Sequence, residues 1–216
     1  MTVTAALLAV EAGNSLSVEL EKDHLRQVLK RDRMSLTENE RRIAEAAICS
    51  AILNFCDGHT RSARTGVKPC TIGLYAAVRA EVDVLACFSK LRERGWIVAY
   101  PKVLNVWGQM DMFAVESPRD LLPGQFGILE PDARALAVDP ADLDILLVPG
   151  LGFTPTGWRL GYGGGFYDRY LSRTRPGLRT IGIAFGVQLR AALPVSEHDQ
   201  RLDYLITEQG VVDCWK

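Results

Sequence analysis

Residues 144–171 read DILLVPGLGFTPTGWRLGYGGGFYDRYL, and this stretch decides the fold of the chain. Its apolar start, residues 144–149, is typical of a strand that is buried on both faces of a parallel sheet. The strand leads into a glycine-rich turn and then into the aromatic-rich start of a helix. Because ligands in such sheets bind beyond the carboxyl ends of the strands, we expect the functional site here.

The chain after residue 70 alternates short apolar runs with helical stretches. A helix is predicted over residues 81–94, because Gly95 is a natural helix stop. Strands that alternate with helices imply right-handed crossovers, so the predicted fold class is α/β: a three-layer, mainly parallel sheet with helices on both faces. The other predicted strands are 71–78, 96–103, 111–115, 180–185 and 204–207.

The first part of the chain predicts a helical region that precedes the sheet. Residues 1–20 lack a sustained period, so we interpret them as a weakly ordered N-terminal extension before a single domain, 21–216. Charged and apolar residues interleave at helical spacing from Lys22, which predicts a helix that stops near Arg33.

A second helix is predicted directly after the first. Thr37 is followed three residues later by Glu40, which is a capping-box pattern, and the run to about Phe55 is amphipathic. Glycines, a proline and scattered charges then predict a loop over residues 57–69.

Composition narrows the class of protein. The 216 residues carry a formal net charge of -1. The overall charge therefore gives no general attraction to nucleic acid or to anionic membranes. The apolar segment 5–10 is far shorter than a membrane span. The cysteines are odd in number and lack a CxxC pair, which argues against disulfides or a zinc site and favours a cytoplasmic location. They are Cys49, Cys56, Cys70, Cys87 and Cys214.

The glycine-rich turn has the chemistry of a phosphate-binding loop. Glycines at 161 and 163–165 allow several backbone N–H groups to converge on a phosphate. Arg159 adds a guanidinium that matches phosphate oxygens, and Asp168 is an oxygen donor suited to Mg²⁺. The alternative is a sterically required turn with Asp168 in a surface ion pair. The pattern is neither a Walker A loop nor a dinucleotide fingerprint.

The strings PGLGF and RLGYGGGFYDRYL resemble the signature of the 5-formyltetrahydrofolate cyclo-ligase family. The resemblance covers most of the chain, from about residue 22 to 212. It departs from the family at Thr154, where the family is often acidic, and residues 1–20 and 57–70 have no clear counterpart. The other similar segments are Lys22-x-x-Leu25-Arg26, 75–83, 100–102, 126–131 and 194–203.

The resemblance implies a fold similar to ribose-phosphate isomerases and CoA-transferases. It also implies cyclisation of 5-formyltetrahydrofolate to 5,10-methenyltetrahydrofolate, with ATP as co-substrate, Mg²⁺ as cofactor, and ADP and phosphate released. Only small-molecule partners are expected.

The site residues are those that match the family motifs. Asp168 and Asp199 are expected to hold Mg²⁺, Val78 and Asp83 to bind folate together with the 161–165 loop, and Arg159 and Tyr162 to act in catalysis. Lys22 and Arg26 are expected to reach the phosphates of ATP. The rest of the expected ATP site is Arg159, Leu160, Gly161, Tyr162, Gly163, Gly164, Gly165, Phe166 and Tyr167.

Plainer interpretations exist for several of these residues. Lys22 and Arg26 could form a solvated helix face, and Asp199 could cap a loop. Asp83, with Glu81, could supply the negative first turn of the following helix. Aromatic residues most often pack in cores, which would explain Trp107, Phe166 and Tyr167. Only Tyr162, which lies inside the loop, favours stacking on a ligand over core packing.

Two other functions remain open at this stage. A sugar-phosphate isomerase or CoA-transferase would share the fold without needing ATP, although fold alone is a weak argument for function. A protein that binds a folate or a nucleotide without turnover would not need both Asp168 and Asp199.

Overall fold

The computed structural model describes residues 3–59 and 69–216, with side chains from residue 17 onward. The helices are α1 (Val3–Met34), α2 (Glu38–His59), α3 (Phe88–Glu93) and α4 (Phe166–Leu171). The strands are β1 (Thr71–Gly73), β2 (Ile97–Val103), β3 (Met110–Ala114), β4 (Leu121–Pro123), β5 (Leu129–Pro131), β6 (Ala137–Val138), β7 (Ile145–Val148), β8 (Gly152–Phe153), β9 (Arg159–Leu160), β10 (Arg179–Ile183), β11 (Tyr204–Thr207) and β12 (Gly210–Asp213).

Eight strands form the central sheet, in the order β12-β11-β10-β7-β1-β2-β3-β6. The five strands from β11 to β2 pair in parallel, whereas β12, β3 and β6 pair antiparallel at the two edges. Two short hairpins, β4-β5 and β8-β9, lie outside this sheet. The predicted fold class, a mainly parallel sheet with helices, is confirmed.

The sheet has a core on each face, and β7 contributes to both. Ile145 and Leu147 belong to a cluster that includes residues of α2 and α3, whereas Leu146 and Val148 belong to a cluster with residues of α4. Successive side chains of a strand point to opposite faces, so a fully apolar strand lies between two helical layers. All four residues are fully buried.

The N-terminal helices differ in their bounds from the sequence prediction. Helix α1 runs unbroken from Val3, so the helix start predicted at Lys22 was wrong, while its predicted end near Arg33 is confirmed. The division into an extension and a domain stays a prediction. The capping box is confirmed, because the Thr37 N–H donates to Glu40 Oε2 at 2.8 Å and the Glu40 N–H donates to Thr37 Oγ1 at 3.3 Å.

Helix α2 continues to His59, past the predicted end near Phe55. Most of the predicted loop 57–69 therefore cannot be compared, because residues 60–68 lie outside the described part of the chain. Within that part, no helix is both long enough and apolar enough to cross a lipid bilayer.

The helix predicted over residues 81–94 was too long. A 3₁₀ turn begins only at Leu85, and α3 begins at Phe88. The carboxylates that would favour a first helical turn bind local backbone instead: Glu81 Oε2 accepts from the Val78 N–H, and Asp83 Oδ1 accepts from the Leu85 N–H, both at 2.9 Å. Such local bonds compete with helix formation.

Candidate active site

The glycine-rich loop joins β9 to α4 at the edge where β7 ends. Gly163 has a φ of +98° and Gly165 a φ of +65°, a left-handed conformation that favours glycine. The loop is tied to α1, because Arg26 Nε donates to the Gly161 carbonyl at 3.1 Å. The loop therefore has a defined shape and a basic residue on its flank.

Arg159 and Asp168 form an ion pair beneath this loop. Arg159 Nη2 lies 2.9 Å from Asp168 Oδ1, and the Arg159 side chain is only 5% exposed. Arg159 Nε is buried without a hydrogen-bond partner. Asp168 is therefore in an ion pair, as the alternative interpretation expected, but the partner side chain is buried rather than at the surface.

Lys22 and Asp199 form a second ion pair next to the first. Lys22 Nζ lies 2.7 Å from both Asp199 Oδ2 and Ser196 Oγ, and Lys22 is only 4% exposed. The solvated-face interpretation of Lys22 was therefore wrong. The two pairs adjoin, because the Gln200 N–H donates to Asp168 Oδ1 at 3.3 Å.

The donor chemistry of Asp168 and Asp199 is of the type that suits a magnesium ion. Their side chains are 22% and 21% exposed, so both remain partly accessible to solvent. No group of three or more His, Cys, Asp or Glu side chains in the described residues could hold a metal. Mg²⁺ commonly takes one or two carboxylates and completes its shell with phosphates and water, so two carboxylates suffice.

A pocket of about 270 Å³ lies under the segment that follows β1. Its lining includes both residues expected to bind folate, Val78 and Asp83, together with Tyr75, Arg79, Glu81 and Tyr100. Val78 is half-buried and Asp83 is exposed at the rim. The pocket combines aromatic and apolar walls with two carboxylates, a mixture that is typical of small-molecule sites.

Glu81 connects this pocket with the glycine-rich loop, a role that the sequence analysis missed. The Tyr162 hydroxyl donates to Glu81 Oε1 at 2.8 Å, and it accepts from Arg33 Nη2 at 2.7 Å. Burial raises the pKa of the Glu81 carboxyl above its ordinary value, and burial raises the pKa of Tyr162 to about 12. No motif in the sequence marks Arg33, because its contacts become apparent only when the folded structure shows that its side chain is buried.

Three aromatic side chains meet beside the start of α4. Trp107 contacts Phe126 and Phe166, with ring centroids 6.0 and 6.1 Å away, and Phe126 lies 6.3 Å from Phe166. Trp107 is 76% exposed, so the expectation of core packing was wrong for this residue. Tyr167 is half-buried and lies under the guanidinium of Arg159.

This arrangement defines an α/β protein with a glycine-rich loop, two buried cations and two carboxylates at one edge of its sheet. The chain belongs to the 5-formyltetrahydrofolate cyclo-ligase family, whose model matches residues 18–208. The predicted family, and with it the prediction of an enzyme, is confirmed.

Individual relatives support the same assignment. The chain is 32% identical over 151 residues to the 5-formyltetrahydrofolate cyclo-ligase of Mus musculus, covering 64% of this chain and 73% of the relative. It is 29% identical over 194 residues to that of Mycolicibacterium smegmatis, covering 83% and 94%.

Two solved structures share the fold. The 5,10-methenyltetrahydrofolate synthetase of Aquifex aeolicus has a TM-score of 0.72 at 31% identity, covering 90% of this chain and 93% of that one. The synthetase from Mycoplasma pneumoniae has a TM-score of 0.68 at 26% identity, covering 87% and 99%.

Proposed function

We propose that this enzyme cyclises 5-formyltetrahydrofolate to 5,10-methenyltetrahydrofolate, using ATP and Mg²⁺ and releasing ADP and phosphate. The observation that carries the proposal is the convergence of two ion pairs, Arg159–Asp168 and Lys22–Asp199, beside one glycine-rich loop. Family membership supplies the folate substrate. The two basic side chains suit the phosphates of a nucleotide, and the two carboxylates suit a metal ion.

The chemistry explains why such a site is needed. The formyl oxygen on N5 is a poor leaving group. When that oxygen attacks the γ-phosphorus of ATP, ADP leaves and a phosphorylated intermediate forms. N10 then attacks the formyl carbon, phosphate leaves with the oxygen, and N10 releases its proton. Phosphoryl transfer of this kind depends on positioning and on charge neutralisation rather than on a protein nucleophile.

The basic residues would bind the nucleotide. Arg159 carries a buried, unused Nε donor beside the loop, and a guanidinium neutralises charge that develops on a transferred phosphoryl group. Lys22 and Arg26 reach the same region from α1. The backbone of residues 160–167 would wrap the phosphates. Asp168 and Asp199 would hold Mg²⁺, which supplies charge neutralisation when it is bound.

The pocket lined by Val78 and Asp83 would bind the pterin. A carboxylate accepts paired hydrogen bonds from an amino group and a ring N–H, which suits Asp83 at the rim or Glu81 inside. Tyr162 would act between the two half-sites, since its hydroxyl contacts Glu81 while its backbone belongs to the loop. This position suits a group that aligns the formyl oxygen with the phosphate.

The partners of this function are small molecules, and we propose a cytoplasmic setting. All five cysteines are free thiols, which suits a reducing compartment.

The test is product formation from 5-formyltetrahydrofolate, followed by absorbance, with ATP and Mg²⁺ omitted in turn. Product that requires both supports the proposal. ATP that binds without any product would instead indicate a protein that binds its ligands without turnover. Turnover of a phosphosugar or a CoA ester without ATP would indicate an isomerase or a transferase.

A further inference from the structure

Arg33 joins three separate parts of the site from within the core. Its side chain is 1% exposed, near the end of α1. Nη2 donates to the Tyr162 hydroxyl and to the Arg79 carbonyl, both at 2.7 Å, and Nη1 donates to the Gly150 carbonyl at 3.4 Å. One guanidinium thus contacts the glycine-rich loop, the pocket wall and the turn after β7.

The bond to Tyr162 fixes the direction of the phenol proton. A guanidinium can only donate hydrogen bonds, so the Tyr162 oxygen accepts from Arg33 and its own proton points to Glu81 Oε1, 2.8 Å away. Arg33 Nη1 lies 3.9 Å from that same carboxylate oxygen. The guanidinium carbon also lies 5.8 Å from the centre of the Tyr162 ring.

The bond to the Arg79 carbonyl holds an unusual turn. Arg79 and Ala80 have φ values of +49° and +66°, and non-glycine residues adopt this left-handed region only at an energetic cost. The turn forms part of the wall of the 270 Å³ pocket. Because both Nη2 bonds come from one nitrogen atom, Arg33 fixes the distance between the pocket wall and Tyr162.

A merely structural role explains Arg33 poorly. Burying a guanidinium with one carboxylate at 3.9 Å costs desolvation free energy, and well-packed apolar residues are often as stable as buried ion pairs. Arg33 Nε is also buried without a partner. The contacts of Arg33 therefore contribute more to the geometry of the site than to the stability of the core.

We propose that Arg33 is a positioning residue that acts through Tyr162, aligning the glycine-rich loop with the substrate pocket. The expected effect of Arg33 on kcat rests on the proposed cyclo-ligase function. The expected effect of Arg33 on the order of the glycine-rich loop does not depend on that function.

The kinetic test is a double-mutant cycle with Arg33→Lys, Tyr162→Phe and the double variant. Lysine keeps the buried charge but cannot reproduce the fork that reaches Tyr162 and Arg79. We expect Arg33→Lys to lower kcat by roughly tenfold or more, with KM for ATP within about threefold of the wild type. The double variant should be little slower than Tyr162→Phe alone, because Tyr162→Phe has already removed the hydrogen bond through which Arg33 acts.

The matched control is Arg31→Met, an exposed arginine on the same helix, which should leave kcat unchanged. Thermal unfolding of every variant separates loss of fold from loss of turnover. Losses that multiply in the double variant would overturn the proposal, because Arg33 would then act independently of Tyr162. An Arg33→Lys enzyme with normal kcat would overturn it as well.

Hydrogen exchange of the peptide that covers residues 161–168 tests the structural consequence without turnover. We expect faster exchange in Arg33→Lys and unchanged exchange in Arg31→Met. Unchanged exchange in Arg33→Lys would overturn the proposal even if the wild type is active. A wild type without cyclisation, but with faster exchange in Arg33→Lys, would refute the proposed function and leave the positioning role supported.

Discussion

Lys22 Nζ lies 2.7 Å from Asp199 Oδ2, although the two residues are 177 positions apart in the chain. The contact brings α1 against the acidic loop near the C-terminus. Asp168 lies beside the same loop and has its own buried cation, Arg159. Each carboxylate expected to bind metal is therefore paired with a basic residue that is expected to bind phosphate.

Lys22→Met should weaken ATP binding. The substitution keeps most of the length of the side chain but removes the charge. We expect KM for ATP to rise by roughly tenfold, in line with the loss of a charge-assisted hydrogen bond to phosphate. Steady-state kinetics and calorimetric titration with ATP measure the effect. Lys90→Met, an exposed lysine on α3, is the control and should bind ATP normally. Normal ATP affinity in Lys22→Met would remove Lys22 from the nucleotide site.

Asp168→Asn should retain the fold and lose most turnover. The amide cannot neutralise Arg159 or Mg²⁺, so we expect kcat to fall by about a hundredfold or more, with partial recovery at high Mg²⁺ concentration. Asp111→Asn is a matched control, because Asp111 pairs with Arg173 at the surface, 2.6 Å away. Activity measured across a range of Mg²⁺ concentrations distinguishes Asp168→Asn from Asp111→Asn. Equal activity in both variants would contradict the metal assignment.

Cys56 should make the protein less stable in alkali. Burial raises the pKa of its thiol from 9.0 to about 12, so between these values the unfolded chain has lost a proton that the folded chain keeps. Each pH unit in that window should then lower the free energy of unfolding by about 1.4 kcal/mol from this group. Urea unfolding from pH 9 upward should show a smaller decline in Cys56→Ala than in the wild type. Equal slopes would show that the thiol titrates normally.

Trp107→Ala should weaken binding of the folate and not of ATP. Trp107 is exposed and contacts Phe126, and we expect its ring to offer a stacking surface for the flat parts of the folate. We expect KM for 5-formyltetrahydrofolate to rise about fivefold to tenfold, a value typical of one lost aromatic contact. Trp215→Ala, also exposed, is the control. A rise in KM for ATP alone would contradict this assignment.

Most of the parallel sheet could be predicted from the sequence because its strands are buried on both faces. The prediction for Tyr204–Thr207 matches β11 residue for residue, and the apolar run 144–149 contains β7. The hairpins β4-β5 and β8-β9 were missed, since strands of two or three residues carry too few positions to show a period.

The candidate site was proposed from its motif, whereas the contacts between distant segments could not be predicted. The glycine-rich loop and Asp168 lie within one string of residues, so they could be recognised together. The burial of Lys22 and Arg33 could not, because both lie on a helix whose charged residues look alike until the tertiary contacts are known. Glu81 was considered only as part of a helical turn, although its carboxylate contacts Tyr162.

The most direct test of the proposed reaction is transfer of ¹⁸O from the formyl group to phosphate. The enzyme is given 5-formyltetrahydrofolate labelled at the formyl oxygen, with ATP and Mg²⁺, and the released phosphate is analysed by mass spectrometry. Phosphorylation of the formyl oxygen predicts one ¹⁸O atom in each phosphate, formed in step with the methenyl product. Unlabelled phosphate released alongside the methenyl product would contradict phosphorylation of the formyl oxygen, and methenyl product that forms without ATP would contradict the proposed function.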